Sequence, residues 1–182
     1  AGATFDGNFI LPLKTGAGYV TVRTSTPDAQ LPGADTRIAP SDEPLLPTLR
    51  SINGLPALRT AAGAHHWRLL GLRFTTTGAS DVISLGDGTQ TDRNLVPSDL
   101  VLDRIVVRGD ATKGQKRGIA LNSASTQVRN SYIAGIRLAG QESQGIACWN
   151  GPGPFVIENN YIEAAAIGVL FGGSPPAIAQ LV

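Results

Sequence analysis

The sequence predicts an all-β solenoid, because two short strand-like motifs alternate along the chain. The first motif occurs four times, at offsets of 36, 27 and 23 residues, and the second lies between its copies, at offsets of 33, 26 and 29 residues. Offsets that vary while a motif stays the same are typical of a solenoid whose strands keep register while its turns differ in length. The first motif occupies Asp81–Asp87, Arg117–Ser123, Gln144–Asn150 and Ile167–Gly173, and the second occupies Leu69–Phe74, Leu102–Val107, Val128–Ile133 and Ile157–Ile162.

The first motif predicts one buried and one outward-facing side of a strand. Two apolar residues stand two positions apart in every copy, a spacing that places both side chains on the same face of a strand. The residue between them points outward and is small in three copies, which predicts a shallow groove. The inward pairs are Ile83/Leu85, Ile119/Leu121, Ile146/Cys148 and Val169/Phe171, and the outward residues are Ser84, Ala120, Ala147 and Leu170.

The second motif predicts a bend. Its apolar end residues are five positions apart, and an odd spacing would send them to opposite faces of a flat strand. Asn130 and Asn159 occupy the same point inside the bend, and asparagine tolerates the left-handed backbone that a bend needs. We therefore expect stacked asparagines at a corner. Asp103, Arg129 and Glu158 share an outward position, which predicts a ladder of surface charges.

These motifs resemble those of the right-handed parallel β-helix proteins of the pectin-lyase-like group, over about residues 55–182. In that group three sheets run up a triangular coil, and an asparagine ladder lines one corner. Residues 103–173 are similar to a family of large secreted β-helix proteins of soil bacteria, to which no reaction is assigned. The resemblance implies a right-handed parallel β-helix of about five coils and a secreted or extracellular protein, with a periplasmic location as the alternative. It is carried by DRIVVRGDATKGQKRGIALNSAS, SQGIACWNGPGPFVIENNYIEA and VLFGG.

The chain is predicted to form a single β-helix domain over residues 1–182, with regular coils over 55–182. Residues 1–54 form either the first coil or an N-terminal cap, with strands at Phe9–Leu11 and Tyr19–Arg23 and a long loop over Thr24–Pro47; the family resemblance favours the coil. Leu181-Val182 repeat the spacing by which Leu95-Val96 lead into the next coil. We therefore expect the chain to be the N-terminal part of a longer helix, whose remaining coils follow Val182 or belong to another chain.

The composition excludes two classes of partner. The net charge is +1 and there is no basic run, which argues against nucleic acid. No apolar stretch approaches the roughly 20 residues that cross a bilayer, so a membrane span is excluded. The sequence also lacks the acidic cluster that binds calcium in pectate lyases and the paired aspartates of β-helix glycoside hydrolases. We therefore expect no metal or other cofactor, with calcium as the one alternative left open.

Two loops supply the candidate site residues. In the loop from Arg108 to Arg117, Arg108 and Lys113 are candidates for binding an anionic sugar, and Asp110, Lys116 and Arg117 are candidates for catalysis. The loop also fits a solvated turn.

The other candidates lie outside that loop. Trp149 and Asn150 are candidates for binding the sugar. Trp149 is predicted to point outward, either as a stacking platform for a sugar ring or as an anchor for the adjacent GPGP turn. His66 is a candidate acid or base. Since adjacent residues of a strand point to opposite sides, at most one of His65 and His66 is expected to face a site.

The leading functional hypothesis is an extracellular protein that recognises, or also processes, a polysaccharide along the groove beside Ala120 and Ala147. Parallel β-helix enzymes act on polysaccharides that lie across such a groove, and this expectation comes from the family resemblance. Two alternatives remain open. One is a non-catalytic structural or adhesive solenoid, and the other is the N-terminal portion of a split or cleaved polysaccharide lyase.

Overall fold

The chain folds as a parallel β-helix solenoid, seen in a computed structural model that describes residues 1–78 and 80–179. All pairings between its strands are parallel, and successive strands visit three sheets in a fixed cyclic order. The predicted fold class is therefore confirmed.

Each of the first five coils contributes one strand to each sheet, and the described part of the sixth contributes one strand to each of two sheets. Sheet 1 contains β1 (Thr4–Asp6), β4 (Thr48–Ser51), β7 (Arg73–Thr76), β10 (Val106–Arg108), β13 (Tyr132–Ile136) and β16 (Tyr161–Ala164). Sheet 2 contains β2 (Phe9–Leu11), β5 (Leu58–Thr60), β8 (Asp81–Leu85), β11 (Arg117–Leu121), β14 (Gln144–Cys148) and β17 (Ile167–Phe171). Sheet 3 contains β3 (Val20–Arg23), β6 (His65–Leu70), β9 (Ser98–Asp103), β12 (Ala124–Arg129) and β15 (Gly153–Glu158).

Helical structure in the described part of the chain is limited to short 3₁₀ turns in loops. They span Asp28–Gln30, Pro40–Leu45 and Arg93–Leu95. Among the described residues, no helix has the length and apolar character that crossing a membrane would require.

The register of sheet 2 matches the alignment of the first motif. Ile119 pairs with Ile83 and Ile146 on the neighbouring strands. All three side chains are fully buried in the central core, as the period-two pattern predicts. The equivalent Val169 is 37% exposed, because its strand β17 lies at the edge of sheet 2.

The second motif bends where predicted, between sheet 3 and sheet 1. One residue in each of the four copies of the motif adopts the left-handed backbone there, and two of these residues are the predicted asparagines. The φ angles are 63° at Gly71, 49° at Arg104, 53° at Asn130 and 50° at Asn159. Arg104 was not foreseen at such a position, and its guanidinium is held by the carbonyl of Pro32 at 2.7 Å.

Asn130 and Asn159 form the expected ladder. Asn159 Nδ2 donates to Asn130 Oδ1 at 2.8 Å, and Asn130 Nδ2 donates to Asp103 Oδ1 at 3.2 Å. Both asparagines also donate to the long loop over residues 24–47, through the carbonyls of Ala34 and Asp35. The ladder therefore joins neighbouring coils and also holds the loop against the corner.

We expect Asn130→Ala to lower the free energy of unfolding by about 2–4 kcal/mol. The change removes three side-chain hydrogen bonds at a buried site and places alanine in the left-handed region, which costs about 1–2 kcal/mol. Asn130→Gly removes the same hydrogen bonds but permits that backbone. Chemical denaturation should therefore rank glycine between the parent and alanine. Equal losses in the two variants would contradict the backbone contribution.

The loop over residues 24–47 packs against sheet 1. Its apolar side chains Leu31, Ile38 and Leu46 bury themselves with Val106 in a second, smaller core. Glu43 adds ion pairs to Arg73 and Arg108 on neighbouring strands of that sheet. The loop is thus an ordered covering for one side of the solenoid.

Arg129 lies in register with Asp103 and Glu158, as the predicted charge ladder requires. The Arg129 guanidinium and the Glu158 carboxylate are 3.9 Å apart. Exposed pairs of this kind contribute about 1 kcal/mol or less.

Two of the sequence-based predictions concern the ends of the chain. Residues 1–54 supply β1, β2, β3 and β4, and the first three of these pair with β4, β5 and β6 of the next coil. The repeat of the coil spacing at Leu181-Val182 lies outside the described residues.

Candidate functional site: the trough on sheet 2

The outer side of sheet 2 carries a trough made of two cavities. The first has a volume of about 420 Å³ and is lined by Arg59, Asp81, Ser84 and Asp87, among others. The second has a volume of about 390 Å³ and is lined by residues from β11, β14 and the segment after β17. Trp149 lines both cavities and therefore lies between them.

The floor of the trough partly matches the predicted groove. Ser84 lines the first cavity, and Ala147 and Leu170 line the second. Ala120, which pairs with Ser84 and Ala147, is buried and lines neither cavity. The small residues are thus aligned as expected, but the continuous groove predicted from them is divided at Trp149.

Trp149 is held from three sides. The Arg117 guanidinium lies 4.6 Å from the centre of its ring. A Cβ added to Gly88 would lie 2.5 Å from Trp149 Cε2, so the wall of the first cavity needs glycine at this position. The backbone N–H of Trp149 donates to Asn122 Oδ1 at 3.1 Å. Trp149 is thus partly buried and packed between Arg117 and Gly88, and it still lines both cavities of the trough.

Asn150 is fully buried and serves as a structural bracket. Its Nδ2 donates to the carbonyls of Asp87 and Gln90, at 3.1 and 2.9 Å. Its Oδ1 accepts from the backbone N–H groups of Ala177 and Ile178, at 2.9 and 3.0 Å. With 0% of its surface exposed, Asn150 offers no side-chain atom to a ligand and acts by fixing the wall around Trp149.

Arg117 and Asp81 form an ion pair between neighbouring strands of sheet 2. Arg117 Nη1 lies 3.2 Å from Asp81 Oδ1, and the two residues are in register. Burial raises the pKa of the Asp81 carboxyl above its ordinary value, against the opposing effect of the Arg117 charge. The predicted candidate Arg117 is therefore in the trough, but its charge is already matched by a carboxylate. Lys116 lines the second cavity beside it.

The loop between Arg108 and Arg117 does not form a single site. Arg108 lies over the Tyr132 ring at 4.7 Å and pairs with Glu43, which places it beside sheet 1 and away from Trp149. Lys113 is exposed and lines a separate cavity. Arg108 and Lys113 are thus not brought together with the Trp149 site.

Asp110 caps its own loop. Its Oδ1 accepts from the N–H groups of Thr112 and Lys113, at 2.8 and 3.0 Å, and its Oδ2 accepts from Gly78 at 3.0 Å. Partial burial acts to raise the pKa of the Asp110 carboxyl, but these backbone hydrogen bonds outweigh it and lower the pKa. A carboxylate so engaged is suited to bracing a turn and not to transferring protons.

His66 is placed on sheet 3, also away from the trough. Its φ of 56° turns the strand locally, and His65 Nδ1 and His66 Nδ1 are 2.9 Å apart. The expectation that the two side chains point to opposite sides is therefore wrong, because it assumed an extended backbone at His66. His66 also faces Tyr19 edge-on and lies 3.9 Å from Asp99.

Cys148 is a free, buried thiol at an inward position, as its spacing predicts. Burial raises its pKa, which disfavours the reactive thiolate. Over residues 1–78 and 80–179, no group of three or more His, Cys, Asp or Glu residues is arranged to hold a metal ion.

Several residues that line the trough are not among the sequence-based candidates, including Arg59, Asp81, Asn122 and Gln144. Asp81, Arg117 and Gln144 are in register on neighbouring strands, and the offsets of the first motif already aligned them. Their shared position at the start of each copy was the available signal.

Comparisons with protein-family models, curated proteins and solved structures find no match to this chain.

Proposed function

We propose that this protein is an extracellular β-helix that binds a polysaccharide along the trough on sheet 2. The observation that carries this proposal is the position of Trp149, a fixed aromatic ring between two cavities on one face. Aromatic rings present a flat apolar surface with a polar edge, which suits the faces of sugar rings.

The shape of the trough supports a chain-like ligand. The outward residues of sheet 2 follow one another along successive strands, which are about 4.8 Å apart. Small side chains at Ser84 and Ala147 leave room on either side of Trp149. A linear polymer could therefore occupy both cavities while it contacts the ring between them.

A structural solenoid without ligand is the second candidate. It is favoured by the extensive bonding between coils, in particular the asparagine ladder and the Asp81–Arg117 pair. Those contacts stabilise the coil whatever it binds. Absence of binding to any glycan on a broad array, with a folded protein, would favour this candidate over recognition.

Processing of the bound polymer is a separate proposal. In one version of this proposal the chain is a complete enzyme. In the other it is the N-terminal portion of a split lyase, as the family resemblance suggests. Ultraviolet absorbance of unsaturated products would report lyase cleavage, and a reducing-end assay would report hydrolysis. Binding without either product would leave recognition as the function of this chain.

We expect Trp149→Ala to weaken glycan binding by about fivefold, since stacking on an aromatic ring contributes on the order of 1 kcal/mol. Calorimetric titration with a glycan selected from the array measures this. Tyr19→Ala is the matched control, because Tyr19 is an exposed aromatic residue beside sheet 3. Equal affinities for the parent and Trp149→Ala, with both folded, would remove Trp149 from the binding site.

A further inference from the structure

Two residues that line the second cavity each have a buried polar atom without a hydrogen-bond partner. The two atoms are Arg117 Nε, a donor, and Gln144 Oε1, an acceptor. Both residues line the cavity, and they are in register on the neighbouring strands β11 and β14. Buried polar groups in folded proteins are normally paired, so a donor and an acceptor left open side by side indicate a place for a group that can serve both.

The rest of the Gln144 side chain is already engaged. Only 4% of the residue is exposed, and its Nε2 donates to the backbone carbonyl of Glu142 at 3.1 Å. A second contact joins Nε2 to Glu142 Oε2 at 3.4 Å. These contacts fix which end of the amide is free, so the unpaired atom of Gln144 is the acceptor Oε1.

A hydroxyl group has the chemistry that this pair of atoms lacks. It accepts a hydrogen bond through its oxygen and donates one through its hydrogen. A carboxylate at the same place would accept from Arg117 but would face Gln144 Oε1 with a second acceptor. The pair therefore favours a hydroxyl over an acid group.

The charged side chains of the trough also favour an uncharged ligand. The charged side chains that line the two cavities balance one another, with three cations and three anions. The cations are Arg59, Lys116 and Arg117, and the anions are Asp81, Asp87 and Glu142. An anionic polymer is usually met by a surface of net positive charge, which attracts it over long distances.

We propose that the trough takes an uncharged glycan, one hydroxyl of which pairs Arg117 Nε and Gln144 Oε1 beside Trp149. This inference rests on the proposed polysaccharide-binding function and narrows its ligand class. It departs from the sequence-based expectation of an anionic sugar, because Arg108 and Arg117 are both paired with carboxylates.

The ligand class is tested by calorimetric titration of the full 182-residue chain with oligosaccharides of equal length. Xylan-, mannan- and glucan-derived oligosaccharides form the neutral set, and oligogalacturonate and oligomannuronate form the anionic set, each at low and high salt. We expect a neutral ligand to bind about tenfold more tightly than either anionic one, with little dependence on salt.

Two other outcomes of this titration would contradict different parts of the proposal. Tighter binding of an anionic ligand, with an affinity that falls as salt rises, would overturn the neutral class and leave the proposed function standing. Failure of every ligand in both sets would overturn the proposed function, and this inference with it.

The hydroxyl site is tested by Gln144→Leu, which replaces the open acceptor with an apolar group of similar size. We expect its affinity for the neutral ligand to fall about tenfold, while its melting temperature stays at or above that of the parent. Gln127→Leu makes the same change on sheet 3 and should bind like the parent. If Gln144→Leu does not fold, Gln144→Asn is used instead. Its side chain is one methylene group shorter, so the acceptor oxygen lies closer to the backbone.

Unchanged affinity in a folded Gln144 variant would overturn the hydroxyl site. That result is also the one expected if a water molecule alone pairs the two atoms.

Discussion

Replacing Gly86 with alanine is expected to destabilise the protein by about 3–5 kcal/mol, a large share of the stability of a typical domain. Gly86 follows β8 with a φ of 82°. A Cβ added there would lie 2.6 Å from the carbonyl carbon of Asn122, and closer still to the oxygen. The obstacle is backbone of the next coil, whose Asn122 N–H donates to Leu85 O at 2.7 Å, so relief requires the two coils to separate.

Gly54→Ala is the matched control for this prediction. Gly54 has nearly the same φ, 79°, but an added Cβ would meet nothing within 4 Å. Gly54→Ala should lower the free energy of unfolding by only about 1–2 kcal/mol, because alanine is disfavoured in the left-handed backbone region. Denaturant unfolding of both variants isolates the contact between coils as their difference. A Gly86→Ala loss no greater than that of Gly54→Ala would show that the coils can move apart at little cost.

The periodic elements of this fold could be predicted from the sequence because each is specified locally. Alternation in the first motif assigns Ile83, Ile119 and Ile146 to the core, and one slip of register would have exposed all of them. The bend at Asn130 was predictable for a similar reason, since an odd apolar spacing demands it. Arg104 takes the same left-handed backbone, but arginine carries no local signal for it.

The candidate site was less predictable because its parts meet through loops of irregular length. Nothing near Arg108 in the sequence indicates that Glu43 will reach it, 65 residues away. Nor does the sequence around Asn150 show that its amide will join the segment at Asp87 to the one at Ala177. The outward direction of the Trp149 side chain could be predicted because Trp149 directly follows a strand, where the alternation of side chains still applies.

Replacing Asn150 with aspartate is expected to lower the free energy of unfolding by about 4 kcal/mol at neutral pH. The amide donates to two carbonyl oxygens, and a carboxylate would instead present an acceptor to both of them at a site with no exposed surface. A buried group left without partners costs about 1–3 kcal/mol, and more when it is charged. Asn150→Ala removes the same hydrogen bonds without adding charge, so we expect a smaller loss of about 2–3 kcal/mol.

The dependence on pH separates the charge from the lost hydrogen bonds. Burial should raise the pKa of the new carboxyl in the folded state above its unfolded value. The Asn150→Asp variant should therefore be most stable relative to the parent at low pH, and should lose that stability as the pH rises through the folded-state pKa. Unfolding measured across the acidic range should show this slope, whereas Asn150→Ala should follow the parent. Parallel curves for all three proteins would mean that the new carboxyl is solvated and the bracket has opened.

The same two variants test how the bracket serves the trough. Asn150 holds the carbonyls of Asp87 and Gln90, which flank the Gly88 that contacts Trp149. Losing the bracket should release this wall and weaken glycan binding, even though Asn150 itself touches no ligand. Asn94→Asp and Asn94→Ala, at an exposed asparagine, should change stability by less than about 0.5 kcal/mol and leave binding unchanged. Full affinity in a folded Asn150→Ala protein would show that Trp149 keeps its position without the bracket, and that Arg117 and the Asn122 hydrogen bond suffice to hold the ring.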